Sequence, residues 1–173
     1  IAEAQSPDDT IELLNDYYTL MFEAIGGQGG VVNQMVGDGL MAIFGAPVPR
    51  ADHAERAVRA ALEMLEMVEL FNAERSASEK PQIHIGVGIA SGRVIAGFTG
   101  TQNRATYTCV GDTVNLAARL EAHTKVLGRP ILIDETTHQG LDGKIRTEEL
   151  EPVQLQGKTQ TVRVFAVPPG QQP

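Results

Sequence analysis

The chain of 173 residues has one cysteine, Cys109, so no disulfide can form within it. A lone thiol suits a reducing compartment, which points to the cytoplasm. There is no tryptophan, and aromatic residues make up 5% of the chain. Few rings are placed for stacking on bases, which weakens any nucleic-acid reading. A basic excess is lacking too: the formal net charge is −8, whereas nucleic-acid binding asks for a basic face. No stretch approaches the ~18 apolar residues of a membrane span. Ile1 to Glu12 has neither the basic start nor the apolar centre of a secretory signal. The domain is therefore expected to make no membrane contact itself, with a full-length protein still free to be membrane-anchored. What the chain does have is 42% hydrophobic residues, far too many for disorder and enough for one sizeable core.

Ser6-Pro7-Asp8-Asp9 reads as a helix start, with a cap, a first-turn proline and acidic residues near the positive end. Ile11, Leu14, Tyr18, Phe22 and Ile25 follow at helical spacing. Two apolar runs, Val31 to Val36 and Leu40 to Phe44, flank Gly37-Asp38-Gly39 and read as a β-hairpin. After the breaker Ala46-Pro47-Val48-Pro49, a second helix carries Ala54, Ala57, Val58, Ala61, Leu62, Leu65 and Val68 on one face. Strands are expected from the alternation Ile83, Ile85, Val87, Ile89, then over Arg93 to Phe98 and Ala105 to Val110. A third helix runs from Gly111-Asp112-Thr113 to about Lys125. Pro130 to Ile133 is the next strand, and Ile145 to Leu150, Val153 to Leu155 and Val162 to Val167 are shorter candidates. The expected domain is 1–167, with 168–173 as a tail. Helices mixed with hairpins predict an α+β sandwich, ferredoxin-like, with helices packed on one face of a largely antiparallel sheet.

Asp38 stands at a hairpin tip, where Gly-Asp-Gly is ordinary turn chemistry. A carboxylate held there can also ligate a hard cation, since Mg²⁺ takes one or two carboxylates plus substrate phosphates. Asn115 and Arg119 are four apart on the third helix and share a face. They are either solvated polar residues or an amide and a guanidinium aimed into a cleft. The guanidinium fork matches phosphate oxygens and its charge never titrates away. Other signals carry less. Gly86-Val87-Gly88 lacks the third glycine of a dinucleotide loop. His53, His84, His123 and His138 show no zinc-ligand spacing. Cys109 sits in a β-run and reads as packed.

Asn33 to Phe44 (NQMVGDGLMAIF), Asp52-His53-Ala54, Ile85 to Gly97 (IGVGIASGRVIAG) and above all Tyr107 to Glu121 (YTCVGDTVNLAARLE) resemble class III nucleotide cyclases. The match runs in order over Ile1 to Val167. The resemblance implies a ferredoxin-like βαββαβ-type catalytic domain with elaborations at the C-terminal end. It also implies a homodimer whose subunits meet head to tail over the active sites. Asp38 of one subunit would hold two Mg²⁺ or Mn²⁺ ions. Asn115 and Arg119 of the other would orient the ribose and stabilise the charge growing on the α-phosphate.

Two family positions choose the purine, here Gln34, four before Asp38, and Thr108, seven before Asn115. Adenine-selective members usually carry Lys, with Asp or Thr. Guanine-selective members usually carry Glu and Cys. Thr108 resembles the Thr-bearing bacterial-type adenylyl cyclases, whereas Gln34 departs from the Lys pattern. An amide both donates and accepts, so it is able to read either purine edge. ATP is favoured, to give cyclic AMP and pyrophosphate. Lys158, in the loop before the last strand, and Arg129 are candidate triphosphate contacts and equally read as surface charges.

The family's first strand carries another metal-binding Asp, ahead of the residues that Ile1-Ala2-Glu3 resemble. The expectation is that this strand is missing from the chain, that Asp8 and Asp9 do not replace it, and that the chain alone is inactive. Competing readings are a catalytically silent cyclase-like regulatory or dimerisation module, a guanylyl cyclase, and, against the charge, a ferredoxin-like nucleic-acid binder.

Overall fold

The computed structural model describes residues 7–101, 104–154 and 161–171. Helix α1 (Pro7–Gly27) buries Leu13, Tyr17, Met21, Ala24 and Ile25, a stripe at three- and four-residue spacing. It packs along α2 (His53–Ala77), whose buried face is rich in alanine (Ala54, Ala57, Ala60, Ala61) with Val58, Leu62, Met64 and Val68. Between them in sequence lies the hairpin β1 (Val31–Val36) and β2 (Gly39–Ile43). Its ladder is antiparallel, with a bulge between Val32 and Gln34 that leaves Asn33 out of register. Leu40, Ala42 and Phe44 pack onto the α1–α2 core.

The strand expected over Ile83 to Ile89 is shorter in the structure: β3 spans Val87–Ile89. Asn72 explains the difference. Its amide donates to the Ile83 carbonyl (2.7 Å) and accepts from the Ile83 N–H (2.8 Å), so Ile83 is tied to α2 instead of a ladder. The second hairpin is β4 (Ile95–Thr101) with β5 (Arg104–Val110). Helix α3 (Asp112–Leu127) then crosses back to β6 (Ile131–Asp134). That crossover makes β3 and β6 parallel, a pairing that needs a long connection. The five-residue α4 (Glu135–Gln139), absent from the expected elements, is capped by Asp134, which accepts from the Thr137 N–H at 2.9 Å. The last strands are β7 (Glu148–Glu149) and β8 (Val164–Ala166), and Val153 and Val162 form an isolated bridge.

The architecture is α+β, as expected. The pairing is largely antiparallel, as expected, and the departure is β3 beside β6, which run parallel. Among the described residues the ladders form two hairpins, β1–β2 and β4–β5, and one mixed sheet of order β3-β6-β8-β7. Ile131, Leu132 and Ile133 of β6 are fully buried, one face against α2 and the other against α3. Gln171, in the expected tail, exchanges hydrogen bonds with the Arg146 backbone (2.7 and 2.9 Å).

Candidate active site

Two structures carry the expected site residues: the β1–β2 tip and the outer face of α3. At the tip, Val36 pairs with Gly39, leaving Gly37-Asp38 as a two-residue loop. Gly37 has φ +62, and Asp38 is not among the residues with positive φ. That combination is the signature of a type II′ turn, the kind whose twist suits a hairpin. The Asp38 side chain is exposed. Tyr18 of α1 donates its phenol hydrogen to the Gly37 carbonyl. The neighbouring Tyr17 ring lies 5.4 Å from that of Tyr18. Burial pushes the Tyr17 phenol up to about 12, helped by the negative charges of Asp38 and Glu121. It stays protonated throughout the neutral range.

Helix α3 rests on glycines. A Cβ at Gly88 would lie 2.3 Å from the Ala117 carbonyl and 2.3 Å from the Glu121 nitrogen. At Gly86 it would meet the Thr124 hydroxyl at 2.2 Å, and at Gly92 the Thr113 hydroxyl at 2.6 Å. Gly86 and Gly88, read from sequence as strand residues of no special role, and Gly92, read as a turn, are thus the seat of the helix. Leu116, Leu120 and Leu127 face the sheet, with Leu120 fully buried against Leu132, Val164 and Ala166. The helix starts at Gly111, whose φ of +147 favours glycine. Thr113 ties the first turn to the Arg93 carbonyl at 3.1 Å. With one face seated, Asn115 is exposed and Arg119 half-buried. Among the described residues Arg119 has no hydrogen-bond or ion-pair partner. A guanidinium so held is available to an anion from outside.

The purine-reading candidates lie on neighbouring strands, since β1 runs beside β5. Gln34 is exposed, just past the bulge, while Thr108 is half-buried opposite Gly97. Beside Gln34, both amide atoms of Asn33 are buried without a partner among the described residues; sequence reasoning missed this group, because only the bulge turns it inward. Cys109 is buried and burial pushes its thiol up, in keeping with a packed role. Arg129 is not brought to this site. It follows the far end of α3, roughly 20 Å along the helix from Asn115, and pairs with Glu148 at 3.0 Å. Lys158 lies outside the described residues.

Asp38 offers the carboxylate oxygen that Mg²⁺ or Mn²⁺ takes. Among the described residues no three His, Cys, Asp or Glu side chains gather as a metal site. The donor therefore fits by type, and a cation here would be shared between Asp38 and the oxygens of a phosphate ligand.

The β4–β5 hairpin carries exposed apolar residues. Ile95 (75% exposed) pairs directly with Val110 (52%), two positions along the same face from Thr108, and Phe98 is 77% exposed on the other face. Among the described residues, no helix is long and apolar enough to cross a membrane.

A profile of the adenylate and guanylate cyclase catalytic domain matches residues 1–167. Adenylate cyclase 1 of Rhizobium meliloti is 32% identical over 96% of the chain, and an adenylate cyclase of Anabaena cylindrica is 33% identical over 96%. The chain spans 25% and 34% of the lengths of those two relatives. The adenylyl cyclase CyaB of P. aeruginosa superposes with a TM-score of 0.90 at 26% identity, covering 99% of this chain and 88% of that one. The guanylate cyclase domain of RhGC from Catenaria anguillulae, solved with GTP, superposes with a TM-score of 0.85 at 28% identity, covering 98% and 89%.

Proposed function

We propose that this chain, which belongs to the adenylate and guanylate cyclase catalytic domain family, is the catalytic part of a protein that converts ATP to 3′,5′-cyclic AMP and pyrophosphate in a cleft between two copies of the domain. The observation that carries this reading is the outer face of α3. It presents Asn115 and Arg119 together, with the guanidinium uncommitted among the described residues.

In this reaction the ribose 3′-oxygen attacks the α-phosphorus, the 3′-hydroxyl loses its proton, and the bond to the β-phosphate oxygen breaks. The attack is intramolecular, so positioning supplies much of the rate. Arg119 would hold the extra negative charge on the α-phosphate oxygens, as a fixed donor that costs no reorganisation. Asn115, one turn earlier, would hold the ribose in attacking position. Asp38 would hold two Mg²⁺ or Mn²⁺ ions together with the triphosphate; when bound, such ions lower the pKa of the 3′-hydroxyl and neutralise phosphate charge.

Ile95 and Val110 support a homodimer. They form a directly opposed apolar pair, exposed on the Thr108 face of the hairpin, and burial between copies would remove that surface from water. Two-fold symmetry would create two equivalent sites. Ile95→Asp places a charge in that contact and is expected to leave a folded monomer. Sedimentation would show the loss of the dimer, and turnover should fall at least about tenfold as the shared site comes apart. A dimer of undiminished affinity would exclude this surface.

Gln34 and Thr108 support ATP only weakly, because the Gln34 amide pairs with either purine. The functional test is turnover with Mn²⁺ and either ATP or GTP, in the longest form of the polypeptide that contains the chain. Cyclic AMP as the main product supports the reading, and Gln34→Lys should then raise the preference for ATP by about tenfold. Cyclic GMP would mean that Gln34 reads guanine. No product under conditions that give a dimer would favour a regulatory module, the reading that a single gathered carboxylate supports.

A further inference from the structure

Tyr18 is a core-facing helix residue with one feature that packing does not require: its hydroxyl reaches the hairpin tip and donates to the Gly37 carbonyl. This carbonyl belongs to the same rigid peptide plane as the Asp38 N–H. Its direction therefore sets the φ of Asp38 and the angle at which the Asp38 side chain leaves the backbone.

That plane is the soft element of a two-residue hairpin loop. Types II′ and I′ differ mainly by a flip of the central peptide. Gly37 accepts positive φ in both forms. Asp at the second position is one of the residues that tolerates the positive φ that I′ demands. The bare loop is thus poised between two forms, one of which re-aims the carboxylate. A Cβ built at Gly37 would meet nothing within 4 Å, so packing against Gly37 does not hold its peptide plane. Tyr18 itself is anchored, its ring half-buried in the α1–α2 core and against Tyr17.

We infer that the Tyr18 hydroxyl is a positioning residue for Asp38, locking the hairpin tip in the turn form that aims the carboxylate at its cation. The inference rests on the proposed role of Asp38. Helix α1 thereby couples the domain core to the tip of the metal-binding hairpin.

Tyr18→Phe keeps the ring and its packing and removes only the donor. Thermal unfolding should stay within about 3 °C of the parent, one surface hydrogen bond being lost. In NMR spectra of the metal-free protein, the Gly37, Asp38 and Gly39 amides should be single and sharp in the parent. In the variant they should broaden by exchange between two turn forms. With ATP present, the Mn²⁺ concentration that half-broadens these resonances should rise about fivefold in the variant, the net size of one hydrogen bond. The kcat at saturating Mn²⁺ should stay within about twofold. Unchanged amide lines and an unchanged Mn²⁺ midpoint would overturn the inference, as would altered lines with an unchanged midpoint. A parent that binds Mn²⁺ at the tip but never forms cyclic nucleotide would sink the cyclase reading alone. A parent whose tip ignores Mn²⁺ would overturn both.

Discussion

Arg119→Ala is expected to lower kcat by about a hundredfold to a thousandfold, the loss when one preorganised donor to a developing oxyanion is removed. The effect should fall on kcat more than on KM, because the α-phosphate gains its charge only as the 3′-oxygen attacks. Folding should hardly change. Arg119 is half-buried and no described residue pairs with it, so truncation orphans no partner and costs under about 1 kcal/mol. The contrast with Arg163 is instructive. Arg163 bridges Glu135 and Glu149 and lies over the Phe165 ring, so its charge is already spent on the fold. Arg119→Lys should recover little, because an ammonium lacks the fork that spans two phosphate oxygens.

The same variant tests where the site lies. Asp38→Ala should also be nearly silent on its own. Mixed in equal amounts with Arg119→Ala, it should restore about a quarter of parental turnover. Half of the dimers would be mixed, and each mixed dimer would have one site with both residues intact and one with neither. Turnover that stays at the level of the single variants would mean that Asp38 and Arg119 of one subunit serve the same site. A mixture well above a quarter would mean that one of the two is dispensable.

How far this site can be read from sequence depends on the range of each determinant. The hairpin was legible because Gly37-Asp38 is a local turn signal between apolar runs, and its II′ form needs only Gly at the first position. The placement of Asn115 and Arg119 on one face of α3 followed from helical period alone. Harder to see was what holds these pieces. Ile83 carries every mark of a strand residue, yet Asn72, eleven residues earlier, captures its backbone. The parallel pairing of β3 with β6 joins segments more than forty residues apart, and no local pattern announces it. Tyr18 sits in a core stripe, where a ring is expected and a hydroxyl passes unnoticed. Arg129 read as either a triphosphate contact or a surface charge, and its partner Glu148 lies nineteen residues away, beyond any local pattern. Gly86 and Gly88 showed only a failed nucleotide motif; their purpose is the approach of a helix whose position no strand pattern reveals.

That approach makes Gly88→Ala the most damaging small substitution expected. The new methyl would stand 2.3 Å from the Ala117 carbonyl, 2.3 Å from the Glu121 nitrogen and 2.9 Å from the Leu120 carbonyl carbon. All three are helix backbone atoms, so no rotamer change relieves the contact. Either α3 lifts or β3 sinks. Lifting α3 by about 1 Å pulls Leu120 away from Leu132, Val164 and Ala166, and sinking β3 presses Val87 and Ile89 into the core beneath α2. Overpacking of this kind costs about 3 kcal/mol, which lowers Tm by about 10 °C in a chain of this length. What remains folded should also turn over at least about a hundredfold more slowly, since a 1 Å shift of the groups that hold a reacting centre has that effect. Urea unfolding and kcat should therefore fall together. Gly26→Ala is the matched control: nothing lies within 4 Å of its Cβ, it sits inside α1, and alanine there should leave stability unchanged or raise it by up to about 1 kcal/mol. Equal urea midpoints for the two variants would show that α3 does not sit on Gly88, and the placement of Asn115 and Arg119 would need another cause.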